Sequence, residues 1–295
     1  MSHLEELLKL EPDNEAAKTN IEIFREDLKT SATNPRIRKR QKVRKESWTE
    51  RHDAQCRGEE KLSEALRNRL FCRYVRDKPI FVLKPLKEEK IFEGPEIFIY
   101  HNFLEDFEMK QIKKLAYPLL SRATVHDPLT GKLMYADYRV SKSAWLKPEM
   151  DEIVANVINK IGVSTNLDVN YAESLQVANY GIGGQYEPHY DHSTRRNKKE
   201  FKRFGGNRIA TFMMYLTDVQ AGGGTVFTDT APGAVVKAIK GNAVFWYNLK
   251  RNGKGDKLTQ HAGCPVLSGT KWISNLWIHE HGQEFRRPCT LNKDE

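Results

Sequence analysis

Gly205-Gly206-Asn207-Arg208-Ile209-Ala210-Thr211-Phe212-Met213-Met214-Tyr215-Leu216 places two glycines ahead of an apolar and aromatic run long enough for a single strand. The same texture recurs in Leu175 to Tyr180, Thr225 to Thr228, Val235 to Ile239, Ala243 to Asn248, Gly263 to Leu267 and Trp272 to His279. Glycines at Gly181, Gly183-Gly184, Gly222-Gly223-Gly224 and Gly253 punctuate the runs. Many short strands with tight turns between them bury one face each, so they stack into a sandwich or close into a barrel. The expected core is a double-stranded β-helix, the jelly roll, over about residues 173–285.

Upstream of Glu173 the apolar spacing becomes helical. Glu105 to Leu120 sets Phe107, Ile112, Leu115, Ala116 and Leu119 on one side, and Met150 to Ile161 does the same with Ile153, Val154, Val157 and Ile158. Such helices pack on the outer face of the sheet, which makes the class α+β with a mainly β core and flanking helices. Ile80 to Leu86 and Glu96 to His101 read as short extended pieces, and Trp48 to about Tyr74 as mostly helical. Leu4 to Leu28, broken at Pro12 and Asp13, reads as a helix, a turn and a second helix. A hairpin that small cannot bury its own apolar faces, so an N-terminal helical extension from a larger array is expected over 1–30. Residues 31–47 form a basic linker, and 48–295 the main domain.

With 295 residues, 39% of them hydrophobic, the chain can bury one substantial core. A mean hydropathy of -0.65 and the lack of a long apolar run exclude a helical membrane span. Met1-Ser2-His3-Leu4-Glu5-Glu6 has no signal-peptide character, so a processed chain or a fragment is expected. The net charge of +9 is concentrated in Arg36, Arg38, Lys39, Arg40, Lys42, Arg44 and Lys45. Neither an aromatic platform nor zinc-finger spacing accompanies that run, which reads as a solvated linker rather than a nucleic-acid site. Cys56, Cys72, Cys264 and Cys289 form no CxxC cluster, leaving two disulfides or four reduced thiols open.

Within Tyr186-Glu187-Pro188-His189-Tyr190-Asp191, His189 and Asp191 are two apart at the end of an extended segment and share one face. Pro188 cannot donate a ladder hydrogen bond, which puts the segment at a sheet edge. Most His-x-Asp pairs bind nothing, so a third ligand is needed. His261 opens a late strand that sheet pairing can return beside the first two. Two histidines and one carboxylate leave three positions of an octahedral ion open, the arrangement of non-haem iron(II) oxygenases; zinc, with one open position, is the rival. Lys271 begins a strand expected beside that of His261. An interior lysine needs an anion, and the far carboxylate of a dicarboxylic co-substrate would supply one. A surface lysine is the plain alternative.

Gln176-Val177-Ala178-Asn179-Tyr180-Gly181-Ile182-Gly183-Gly184-Gln185-Tyr186-Glu187-Pro188-His189 resembles the catalytic domain of animal collagen prolyl 4-hydroxylase alpha subunits. So do Tyr138 to Trp145, Gly206 to Thr211, Ala243 to Leu249, His261 to Leu267 and His279 to Cys289, giving coverage from about Cys56 to the end. The resemblance implies hydroxylation of proline at C4 in procollagen-like X-Pro-Gly peptides, with decarboxylation of 2-oxoglutarate to succinate. It implies Fe(II) on His189, Asp191 and His261, 2-oxoglutarate on Lys271, O2 as oxidant and L-ascorbate as reductant. Tyr180 and Thr225 would lie near the distal carboxylate, although a barrel tyrosine and a turn threonine are comparable readings. Arg208 and Trp277 would line the peptide groove, while His192, His279 and His281 are structural.

The resemblance also pairs Cys56 with Cys72 and Cys264 with Cys289, and implies the endoplasmic reticulum lumen with protein disulfide isomerase as beta subunit. Lys293-Asp294-Glu295 lacks the leucine of a retention signal, so retention through that partner is expected. Leu8 to Ala17 is similar to the last helices of the family's tetratricopeptide-like peptide-binding domain. Two alternatives remain at this point, a non-catalytic jelly roll that binds proline-rich chains and a hydroxylase of another residue on the same scaffold.

Overall fold

The computed structural model describes residues 50–60, 62–126, 133–135, 138–194, 205–230 and 233–292, with single positions among the first 21. The basic run at 36–45 and most of the helical extension expected over 1–30 lie outside the described residues. Among the described residues the strands are β1 (Phe71–Val75), β2 (Leu86–Glu93), β3 (Glu96–His101), β4 (Ser121–Arg122), β5 (Val125–His126), β6 (Leu133–Met134), β7 (Lys142–Leu146), β8 (Leu175–Tyr180) and β9 (Tyr186–His189). They continue with β10 (Arg208–Tyr215), β11 (Ala221–Gly222), β12 (Thr225–Phe227), β13 (Ala234–Val236), β14 (Ala243–Tyr247), β15 (His261–Gly263), β16 (Val266–Ser268) and β17 (Lys271–His279). The helices bounded at both ends by described residues are α1 (Glu64–Arg67), α2 (Asp106–Ala116) and α3 (Glu152–Thr165), and residues 50–56 are also helical.

Two antiparallel sheets make the jelly roll. The larger runs β1-β2-β3-β14-β10-β17-β8-β7-β4, and the smaller runs β13-β12-β15-β9. Strand β10 shows how alternation divides the interior into two layers. Ala210, Phe212 and Met214 join the core under the helices, while Met213 and Tyr215 join the core between the sheets. Strand β14 divides likewise, with Ala243 and Phe245 on the helix side and Val244 and Trp246 inside.

Helix α2 starts with a capping box, in which the Glu105 and Glu108 side chains each take up a backbone N–H at the helix start. Asp151 caps α3 by accepting from Ile153 N (2.9 Å), and its other oxygen accepts from Gln111 Nε2 of α2 (2.7 Å). Val154, Val157, Ile158 and Ile161 of α3 and Met109, Ile112 and Ala116 of α2 cover the outer face of the large sheet. Phe107 and Leu119, expected on the buried side, are exposed. Pro118 ends the regular helix by lacking an N–H, and Tyr117–Leu119 continue as a 3-10 turn.

Several boundaries differ from the sequence expectation. Helix fills only 50–56 and Glu64–Arg67 of the stretch expected to be mostly helical, because Phe71–Val75 pairs with β2. The strand expected over Gly263 to Leu267 splits at Cys264-Pro265, where Cys264 N turns aside to Gly224 O (2.9 Å). The disulfide is also different: Cys56 is bonded to Cys264, and Cys72 and Cys289 are free and exposed. This replaces the expected Cys56–Cys72 and Cys264–Cys289 pairs. Helical residues 50–56 lie against the small sheet, Arg51 Nη2 donating to Thr230 O (2.6 Å), and Cys56 packs with Val226, Ala262 and Val235. Cys72 instead sits on the outermost strand of the large sheet, with its side chain in solvent.

Candidate metal centre and co-substrate pocket

Antiparallel pairing of β15 with β9 sets His261 directly opposite His189. Strand β9 is the edge of the small sheet, the place where Pro188 costs no ladder hydrogen bond. Asp191 follows just beyond the strand, with one oxygen 3.7 Å from His189 Nε2 and the other 3.6 Å from His261 Nε2. One ligand atom from each of the three lies within 4.8 Å of the others. In both histidines Nδ1 faces the carbonyl oxygen two residues back, Glu187 O at 2.8 Å and Thr259 O at 2.9 Å. A carbonyl only accepts, so Nδ1 carries the proton and each Nε2 turns a lone pair toward the centre.

Burial works against the charge on Asp191, but His261, His189 and the Arg208 guanidinium outweigh it and hold the carboxyl far below its usual range. Burial, assisted by His261, pushes His189 down to about 3. Asp191 is therefore an anionic carboxylate and His189 a neutral imidazole, the protonation states in which each ligates a divalent cation. Three ligands gathered on one side suit an octahedral ion with open positions.

Lys271 is the other uncommon group. It is 2% exposed, and burial alone lowers its pKa to about 7. Among the described residues no carboxylate pairs with it; Nζ has Gly224 O at 3.4 Å and lies 5.4 Å and 5.8 Å from the ring centroids of Tyr180 and Tyr215. Strand β17 does not run beside that of His261, as expected from the sequence. It belongs to the large sheet, where Lys271 pairs with Tyr180, and the side chain reaches toward Gly224 beside the small sheet. Thr225 is buried there too and accepts from Tyr215 Oη (2.8 Å). A buried cation among hydroxyls, with no anion of the protein's own, fits the far carboxylate of a small diacid.

Arg208 owes its direction to a β-bulge. The register of β10 on β17 shifts between Arg208 and Ala210, which turns Arg208 inward on the same side as Thr211. Its guanidinium forks onto Glu173 at 2.5 and 3.0 Å, donates to Asp191 O (3.3 Å) and lies 3.9 Å from the Trp277 ring centroid. Burial would raise the Glu173 pKa, but Arg208 and the His279 hydrogen bond (3.0 Å) bring it to about 2. His279 thus belongs to this clamp, whereas His192 packs over Gly255 and His281 against the edge of Tyr171.

At the open end, exposed Trp145 lies 5.9 Å from Trp277, and Tyr138 stacks on Tyr186, which stacks on His189. Sequence reasoning gave no role to Glu173, Thr211, Tyr215, Trp246 or Asn248. For Thr211, Tyr215 and Trp246 the one visible signal was a polar group within an apolar strand, as in Thr211 between Ala210 and Phe212.

Residues 175–279 match the family model of the 2OG-Fe(II) oxygenase superfamily. Prolyl 4-hydroxylase subunit alpha-1 of Rattus norvegicus is 46% identical over 98% of this chain and 57% of its own length. The Caenorhabditis elegans subunit of that name is 44% identical over 99% and 54%. The chain thus spans a little over half the length of these relatives. Among solved structures, the viral collagen prolyl hydroxylase of Paramecium Bursaria Chlorella virus-1 in its 2OG complex is 27% identical, covers 63% of this chain and 96% of its own, and aligns with a TM-score of 0.49. The chain carries a 2OG-Fe(II) oxygenase domain, and along nearly its whole length it is a relative of the prolyl 4-hydroxylase alpha subunits.

Proposed function

We propose that this chain is the catalytic part of a peptidyl prolyl 4-hydroxylase that acts on procollagen-like X-Pro-Gly sequences, turning 2-oxoglutarate and O2 into succinate and CO2 as proline gains a hydroxyl at C4. The observation that carries the reading is the conjunction of the His189, Asp191 and His261 set with Lys271, a buried cation that no described carboxylate pairs. Iron(II) chelated by 2-oxoglutarate would supply the oxygen activation. The chain's own share is geometric. His189 and His261 present Nε2 as the ligating atom because their Nδ1 protons are held by backbone carbonyls, and Asp191 offers the charge. Lys271, with Tyr180 and Thr225 close by, selects a diacid of the right length and keeps water from its far end. Exposed Trp145 and Tyr138 offer aromatic faces on which proline rings pack, and the Glu173–Arg208 clamp holds buried Trp277 in place beside Trp145.

L-ascorbate is the reductant in this reading, the endoplasmic reticulum lumen the compartment and protein disulfide isomerase the beta subunit. A disulfide in the domain and relatives named as subunits support it. Residues 1–30 are read as the last helices of a peptide-binding domain, with 48–295 catalytic. Ile21 of this segment is buried, with Leu8 and Ile182 packed against it. The test is incubation of the chain, with protein disulfide isomerase, iron(II), ascorbate and 2-oxoglutarate, with a Pro-Pro-Gly repeat peptide. Equimolar succinate and 4-hydroxyproline are expected; iron-loaded, folded protein giving neither would refute the enzyme reading, and oxygen gained on another residue type would refute the substrate.

A further inference from the structure

Behind Asp191 lies a row of buried polar groups to which neither the motif nor the proposed reaction assigns a role. Trp246 Nε1 donates to Asn248 Oδ1 (2.8 Å), Asn248 Nδ2 donates to Thr211 Oγ1 (2.8 Å), and Thr211 Oγ1 donates to Asp191 Oδ2 (2.8 Å). Trp246 and Asn248 are fully buried and Thr211 almost so. Chemistry sets the direction of every link. An indole nitrogen can only donate, so it pins the oxygen end of the Asn248 amide. The amide nitrogen must then point the other way, onto Thr211. A hydroxyl that accepts a hydrogen bond there has its own single proton left for Asp191. Strand geometry places the parts: Thr211 and Trp246 are paired neighbours across β10 and β14, and Asn248 lies just past the end of β14.

We infer that Trp246, Asn248 and Thr211 form a one-way positioning chain that fixes the plane of the Asp191 carboxylate and thereby sets the affinity of the centre for a divalent cation. The inference rests on reading His189, Asp191 and His261 as a metal centre. None of the three touches the reacting atoms. They are positioning residues that keep the carboxylate from rotating between His189 and His261, to which its two oxygens are almost equally near. Outer partners of this kind carry about 10- to 100-fold in metal affinity.

Cobalt(II) titration of the full chain, followed by visible absorption, tests this without turnover. Thr211→Val keeps the side-chain shape and removes the proton, so cobalt should bind about 10- to 100-fold more weakly. Thr211→Ser keeps the hydroxyl and should bind within about threefold of the native chain. Asn248→Asp tests direction: a carboxylate there accepts from both Trp246 and Thr211, turns the threonine proton away from Asp191, and should weaken binding as much as Thr211→Val. Thermal unfolding without metal, run in parallel, separates this from general destabilisation, because Thr211→Ser and Thr211→Val should differ in cobalt affinity far more than in melting temperature. If Thr211→Val does not fold, Asn248→Asp decides. Equal cobalt affinity in the native chain, Thr211→Val and Asn248→Asp would overturn the positioning chain but leave the metal centre standing, as would equal losses in Thr211→Ser and Thr211→Val. A native chain that binds no cobalt would overturn the centre itself.

Discussion

Lys271→Met should make the empty protein more stable and deprive it of its co-substrate. The lysine is 2% exposed, and burial brings its pKa from 10.5 to about 7. At about 1.36 kcal/mol per pH unit, that difference is a folding penalty of about 5 kcal/mol for the charged form. Because the folded pKa is the lower one, the penalty is complete below pH 7, fades as pH rises from 7 to 10.5 and vanishes above. At pH 7 the native chain therefore bears almost all of it. Methionine has a similar shape and no charge; allowing for local relaxation, a gain of about 2–4 kcal/mol, or roughly 4–16 °C in melting temperature, is expected. With 2-oxoglutarate and manganese(II) the native chain should gain stability and the variant should not, and a 2-oxo acid without the second carboxylate should stabilise both only weakly. A variant that melts below the native chain and still responds fully to 2-oxoglutarate would refute the reasoning, since Lys271 would then be a satisfied structural group.

Three more outcomes follow from the same structure. Glu173→Gln leaves Arg208 buried without its anion and should cost about 3–5 kcal/mol at pH 7. Because Glu173 has its pKa lowered to about 2, its contribution is complete above pH 4.5 and lost as pH falls through 2, so unfolding curves of the two proteins should converge in acid. Cys56→Ser or Cys264→Ser should lower stability by about 2–5 kcal/mol while Cys72→Ser and Cys289→Ser leave it unchanged, and a non-reducing peptide map showing Cys72 or Cys289 bridged would contradict this. Trp145→Ala should raise KM for a proline-rich peptide by about tenfold, roughly 1.4 kcal/mol, with KM for 2-oxoglutarate unchanged; a change in the latter alone would place Trp145 outside the groove.

The parts of the fold legible in the sequence are those where one short-range pattern is enough. Ile209 to Leu216 and Ala243 to Asn248 became β10 and β14 within a residue at each end, because a strand with two apolar faces is unambiguous when glycines precede it. The metal set was legible because two of its members are two residues apart and the third opens a strand, where extended backbone leaves little choice of face. What local pattern cannot carry is the partner of a strand. Lys271 was expected beside His261, yet β17 lies in the opposite sheet, and the two residues approach the pocket from different walls. The chemical demand for an anion near Lys271 survives this change because it depends on burial and not on which strands pair.

Arg208 and Thr211 show why the supporting residues were harder to read. With strict alternation an even-numbered residue of β10 would face the helices, as Ala210 and Phe212 do, and Arg208 would be stranded in an apolar layer. The one-residue shift between Arg208 and Ala210 removes the conflict by turning the guanidinium toward Glu173, Trp277 and the carbonyl of Asp191. Thr211 needs no such correction. It faces inward by alternation, but its value depends on Asn248 and Trp246, thirty-seven and thirty-five residues further on, which meet it only because β10 and β14 are neighbours. The ligands of the centre come from the small sheet and the loop after β9, while Thr211, Asn248, Trp246 and Lys271 come from the large sheet or its margin. The centre is therefore complete only when the two sheets close on each other. Any substitution that loosens their packing, such as shortening Phe227, which packs on Trp246 and pairs across the small sheet with His261, should weaken metal and 2-oxoglutarate binding together.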